Sequence, residues 1–131
     1  MIPRFRVWDK TCKTMYEVDD IMSIDFGKSE ISVKTLFFER TNYYKFDDLV
    51  LMQSTGLRDK NGKEIFEGDI VDYKGKKAVV KWHGSYASFV YMFVDESRDR
   101  NQEWDPLYLS YFHFEVVGNK FETPALLEVS S

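Results

Sequence analysis

The stretch from Thr55 to Val71, reading TGLRDKNGKEIFEGDIV, constrains the fold of this chain more than any other, because turn formers and strand formers alternate in it at short, definite spacings. Asp59-Lys60-Asn61-Gly62 places a carboxylate where it can accept from backbone amides, and a glycine where a type I turn closes at positive φ. That pattern predicts a hairpin turn. Gly68-Asp69 offers a second positive-φ position followed by a short acceptor side chain, and the β-branched pair Ile70-Val71 then opens a strand. Ile70 to Tyr73, the turn Lys74-Gly75-Lys76, and Lys77 to Trp82 read as two more strands about a glycine.

The same reasoning extends outward. Arg4 to Trp8 and Thr14 to Val18 form a predicted hairpin around the polar loop from Asp9 to Lys13. Ile21 to Phe26 is read with Met22, Ile24 and Phe26 on one face, and Gly27-Lys28-Ser29 turns it into a strand from Ile31 to Leu36. Phe37 to Lys45 fits either a strand extension or a loop, and Leu49 to Met52 reads as a buried strand. Ser88 to Val94 is another strand, followed by a solvated loop, Asp95 to Glu103, that ends at Trp104-Asp105-Pro106. A last long strand is expected over Tyr108 to Val117, broken at Gly118-Asn119, with Pro124 opening a short helical turn. With aromatic residues at 17% of the chain, strand content should be high. The fold class expected is mainly β: antiparallel hairpins with one or two short helices.

At 131 residues the chain is expected to be one domain, with the N-terminal hairpins of residues 1–52 packed with the strands of residues 53–131. The one candidate seam, Gln53 to Gly56, lacks the glycine, proline and serine clustering of a linker. A net charge of −4 argues against a surface that attracts nucleic acid everywhere, and leaves room for a local patch. Cys12 is the sole cysteine, which excludes an internal disulfide or a multi-cysteine zinc site and suits a reducing compartment. The apolar run Phe89 to Val94 is far shorter than the roughly 20 residues of a membrane helix. Arg4, Arg6 and Asp9 interrupt any signal-peptide core. The expected location is the cytoplasm, with no membrane association.

Three blocks together carry a family resemblance: Phe5-Arg6-Val7-Trp8-Asp9 with Met15 soon after, the central TGLRDKNGKEIFEGDIV, and Val116-Val117-Gly118-Asn119 followed by Glu122-Thr123-Pro124-Ala125-Leu126-Leu127. In content and order they resemble the YopX family of small phage and prophage proteins from Gram-positive bacteria. The middle block is the specific one. The resemblance implies a mainly β pseudo-barrel carrying a short helix, with no established biochemical activity. Gly56, Asp59, Asn61, Gly62, Gly68 and Asp69 are then the structural residues of the family turn.

Candidate chemistry is sparse. Asp19-Asp20 and Asp47-Asp48 are paired acids, but neighbours in an extended chain point opposite ways, so both pairs read as turn or helix-start residues. Glu64, Glu67 and Asp69 form an acidic trio without EF-hand spacing, and Asp69 is better explained by its turn. His83 sits at a strand end and His113 among rings, and neither has a partner by sequence. Cys12 lacks a protease signature, and Lys10 and Lys13 suggest only modest thiolate stabilisation. No catalytic, metal or cofactor site is expected.

The binding candidate is Lys74, Lys76, Lys77 and Lys81 with Trp82 and Tyr86, since lysines beside exposed rings can hold single-stranded nucleic acid by charge and stacking. The bland reading makes Trp82 a core ring and the lysines solubilising turn residues. The expected function is a non-enzymatic phage or prophage accessory protein that binds a host or phage macromolecule. The excess of rings over what one small core can hold makes homo-oligomerisation an accompanying expectation. The alternative is a nucleic-acid-binding SH3-like small barrel, which Gly68-Asp69-Ile70-Val71 and Val80-Lys81-Trp82 resemble at fold level.

Overall fold

Turn chemistry and strand propensity lead to a series of antiparallel hairpins, and the computed structural model describes residues 4–34, 41–94 and 104–128. The chain divides into two compact units, Met1–Gln53 and Ser54–Ser131, a division that falls within the seam named from sequence. The mainly β, antiparallel reading holds. The short helices are single 3₁₀ turns among the described residues.

The first unit contains β1 (Phe5–Asp9), β2 (Thr14–Tyr16), β3 (Ile21–Asp25), β4 (Glu30–Val33), β5 (Asn42–Lys45) and the first half of β6 (Leu49–Arg58). β1 lies between β2 and β6, so Val7 faces Tyr16 on one side and Leu51 on the other. Its turn to β2 is held by Asp9, whose Oδ1 accepts from the amides of Thr11 (2.9 Å) and Cys12 (3.1 Å). β3, β4 and β5 form a second sheet in that order. Val7, Ile31, Val33 and Leu49 are buried together, with Tyr16, Ile21, Ile24 and Tyr44 packed against them.

The expected stripe of Met22, Ile24 and Phe26 is corrected here. Ile21 pairs with Val33 but Ser23 pairs with Ser32, so Met22 is an extra residue opposite no partner. A bulge shifts side-chain parity by one. Ile21 and Ile24, three apart, therefore share the core face, while Met22 and Phe26 are exposed and Phe26 meets the edge of Phe46 at 5.8 Å. The paired acids serve local structure. Asp19-Asp20 lie in the 3₁₀ turn Val18–Asp20, where Asp20 accepts from the Glu17 amide, and Asp47-Asp48 lie in the 3₁₀ turn Phe46–Asp48.

The second unit contains the end of β6, β7 (Glu64–Phe66), β8 (Asp69–Tyr73), β9 (Lys76–His83), β10 (Ser88–Phe93), β11 (Asp105–Pro106) and β12 (Glu115–Asn119). Five of these form a sheet in the order β11-β10-β9-β8-β12. Register puts Val71 opposite Ala78, and Val80 opposite Tyr91, so one face presents them jointly to Ile65, Leu107 and Phe114. Fully burying side chains of this kind stabilises by roughly 1.5–3 kcal/mol each. Phe114 sets its ring edgewise to Tyr91 at 4.8 Å and to Tyr73 at 6.2 Å.

The long strand expected over Tyr108 to Val117 is also corrected. Leu107–Leu109 and Tyr111–His113 are 3₁₀ turns joined at Ser110, and β12 begins at Glu115. The core takes Leu107, Tyr111 and Phe114, a spacing of four and three that a strand's period of two cannot place on one side. The parts of the expected strand and loop segments that fall within residues 35–40 and 95–103 lie outside the described residues.

Candidate functional site

The central motif builds turns and ties them to the sheet. Asp59 is buried, its Oδ1 accepting from the amides of Asn61 (2.9 Å) and Lys63 (2.8 Å), and Gly62 closes the turn at φ 85° by donating to the Asp59 carbonyl. Nothing lies within 4 Å of where a Gly62 Cβ would stand, so backbone conformation rather than crowding requires glycine. Asp59 does more than its local turn demands. Its Oδ2 accepts from the Val116 amide at 2.8 Å, tying the hairpin to the far-off β12. Gly56 and Gly68 also sit at positive φ, and the buried Asp69 carboxylate accepts from the Phe66 amide at 2.8 Å. Thr55 donates through its hydroxyl to the Ile65 carbonyl at 2.7 Å. The Glu64, Glu67 and Asp69 trio forms no cluster suited to a metal, and no such cluster occurs among the described residues.

The lysine and ring residues singled out from sequence do not form one patch. β9 runs from Lys76 to His83, and at about 3.3 Å per residue its ends are roughly 20 Å apart. Lys74, Lys76 and Lys77 sit at the β8–β9 turn, Lys81, Trp82 and Tyr86 at the β9–β10 turn. Alternation divides them again: Trp82 shares a face with Ala78 and Val80, while Lys77 and Lys81 point the other way.

Trp82 is not a core ring. It lies beyond the buried part of its strand, 44% exposed, edgewise to Phe89 at 5.1 Å. On the opposite face Lys81 Nζ stands 4.3 Å over the Trp104 ring, and His83 stacks on Tyr86 at 4.2 Å. The His83 Nδ1 is buried there with no hydrogen-bond partner. Lys81 is thus engaged within the protein.

The β8–β9 end gathers residues that sequence proximity could not. Tyr73 faces Lys76 across the ladder, and Lys74 Nζ lies 5.3 Å from the Tyr73 ring. Against Tyr73 packs His113 at 5.8 Å, and against His113 the exposed Phe112 at 4.2 Å. Lys60 donates its amide to the Phe114 carbonyl at 2.9 Å, which brings the first motif turn beside the same rings. In the same segment as His113, Tyr108, Leu109 and Phe112 all project outward, 60%, 59% and 51% exposed. The signal for this surface was the three-to-four spacing of Leu107, Tyr111 and Phe114, which leaves the intervening large residues in solvent.

Cys12 is exposed, and the Asp9 carboxylate raises its thiol pKa above the ordinary value, with desolvation and an Asp9 hydrogen bond acting in the same direction. The modest thiolate stabilisation expected from Lys10 and Lys13 is overturned by that nearer charge. Among the described residues no helix is long and apolar enough to cross a membrane.

Comparison with known proteins places the chain among small β proteins. The family described as YopX protein matches residues 4–128. Protein EF1440 from Enterococcus faecalis, a crystal structure, is 30% identical, with a TM-score of 0.54 over 98% of this chain and 99% of that one. The X-ray structure of protein yopX from Bacillus subtilis is 22% identical and shares the fold, with a TM-score of 0.59 over 95% and 98% of the two chains. No curated protein matches the chain.

Proposed function

The chain belongs to the YopX family, and from that premise we propose that it is a non-enzymatic binding module, a phage or prophage accessory protein of the bacterial cytoplasm. It engages a macromolecular partner through large side chains that its cores leave outside. The observation that carries this reading is the segment Leu107–His113, which buries Leu107 completely yet holds Tyr108, Leu109 and Phe112 in solvent. Three large side chains exposed within five residues supply the apolar surface that such a partner would cover. Trp82 and Tyr86 add a second exposed pair at the β9–β10 turn.

The test is capture from extracts of the bacterium that carries the gene, analysed for protein and nucleic acid together. Wild-type protein should enrich a partner that a Leu109→Ser, Phe112→Ser variant loses while keeping a wild-type circular dichroism spectrum. An unchanged capture profile in that variant and in Trp82→Ser, Tyr86→Ser refutes the proposal. Sedimentation of the same proteins shows whether the partner is a second copy of the chain, in which case the serine variants shift toward monomer.

A further inference from the structure

We infer that the β8–β9 end of the second unit, with Lys60, Tyr73, Lys74, Lys76, Phe112 and His113, is a face for single-stranded nucleic acid. This inference rests on the binding-module reading and names its partner and site. Three chain segments meet there: the turn at Lys60, the hairpin end at residues 73–76, and residues 112–113. The ladder sets Tyr73 opposite Lys76, the Lys74 ammonium lies 5.3 Å from the Tyr73 ring, and His113 links Tyr73 to the half-exposed ring of Phe112. The Lys60 amide, bonded to the Phe114 carbonyl, seats a third lysine one residue from His113.

Charge decides the class of partner. Lys60, Lys74 and Lys76 are exposed, and among the described residues none of them is in an ion pair. The neighbouring carboxylates keep their charge but lie off this face: exposed Glu115 pairs with Asp72 across the β12–β8 ladder, on the side of the sheet opposite Tyr73 and Lys76. Asp59 is buried under three backbone amides, and Asp72 accepts from the Gly75 amide while facing Lys77 on the other side of the sheet. A chain of net charge −4 thus presents a local cationic face. Lysines alone would suit any polyanion. The exposed Phe112 ring, reached from Lys74 through Tyr73 and His113, favours a strand whose bases are free to stack, which a duplex hides within itself. The other half of the patch predicted from sequence is set apart, its Lys81 already held over Trp104.

Three lysine contacts to a single strand predict a slope of log K against log salt near −2, so tenfold more salt weakens binding about 100-fold. The experiment is fluorescence anisotropy of a labelled oligo(dT) of about 12 nucleotides, at about 20 and about 200 mM salt. Wild-type protein should bind saturably at low salt and follow that slope. Lys74→Glu with Lys76→Glu should abolish binding, and Phe112→Ala should weaken it about tenfold with the slope unchanged. One control should bind as wild type: Lys28→Glu with Lys34→Glu, exposed lysines of the first unit. The inference is overturned by absent wild-type binding at low salt, by equal affinity for duplex, by indifference to Phe112→Ala, or by equal loss in the Lys28 and Lys34 control. Partner capture that survives in the Lys74, Lys76 variant, with no oligonucleotide binding, ends this inference and leaves the wider module reading standing.

Discussion

Removing the Asp59 carboxylate tests how much of the second unit depends on one side chain. Its two oxygens accept from three amides, those of Asn61, Lys63 and Val116, at 2.8–2.9 Å. Asn61 and Lys63 sit in an exposed turn, so in Asp59→Ala their amides can turn to water, at a net cost of about 0.5–1 kcal/mol each. Val116 lies within β12, partly buried, and loses a charge-assisted bond worth about 1.5–3 kcal/mol. The variant should therefore be less stable by about 3–4 kcal/mol, a large fraction of the margin of an ordinary domain. Asp59→Asn separates the two roles. Its carbonyl can keep the Asn61 and Lys63 bonds, but its amide then meets the Val116 N–H donor to donor, so it should lose about 2 kcal/mol. Urea unfolding followed by tryptophan fluorescence reads this as a midpoint about 1–2 M lower for Asp59→Ala and a smaller drop for Asp59→Asn. Amide exchange at Val116 should quicken in both variants. An Asp59→Asn protein as stable as wild type, with Val116 still protected, would refute the claim that the turn is tied to β12 through this carboxylate.

Gly118 is required for a different reason: a Cβ there would stand 2.1 Å from Thr123 Oγ1, which is held by hydrogen bonds to both the amide and the carbonyl of Asn119. Gly118→Ala should cost about 1–3 kcal/mol in thermal or urea unfolding, and adding Thr123→Ala should cost less than the sum of the two changes. Burial and the hydrogen bond between the Tyr16 and Tyr44 hydroxyls, 3.1 Å apart, raise the Tyr16 pKa. The unfolded chain then loses that proton first, so stability should fall as pH climbs above the ordinary tyrosine value of about 10, and fall less steeply in Tyr16→Phe. An equal slope in the two proteins would exclude Tyr16 as a contributor. For Cys12 the Asp9 carboxylate predicts that iodoacetamide reacts with a higher pH midpoint in native than in urea-unfolded protein, and equal midpoints would contradict the assignment.

Local chemistry was legible without coordinates. The Asp59 to Gly62 turn, the Gly68-Asp69 corner, the hairpin about Gly75 and the strand from Ser88 all follow from φ preferences and side-chain acceptors that act within a few residues. Sequence therefore determined which segments pair as hairpins and which residues punctuate them. It did not determine parity or company. One inserted residue at Met22 changes which side chains face the core, and only the pairing of β3 with β4 reveals it. The turns through Leu107–His113 replace a strand because the core accepts Leu107, Tyr111 and Phe114 at a spacing set by neighbours far along the chain. Tertiary structure alone joined Asp59 to Val116 and bonded the Lys60 amide to the Phe114 carbonyl, next to His113. The physical reason is range: a turn is decided by torsions and hydrogen bonds between near neighbours, whereas a surface is whatever remains when distant segments have buried their apolar sides together.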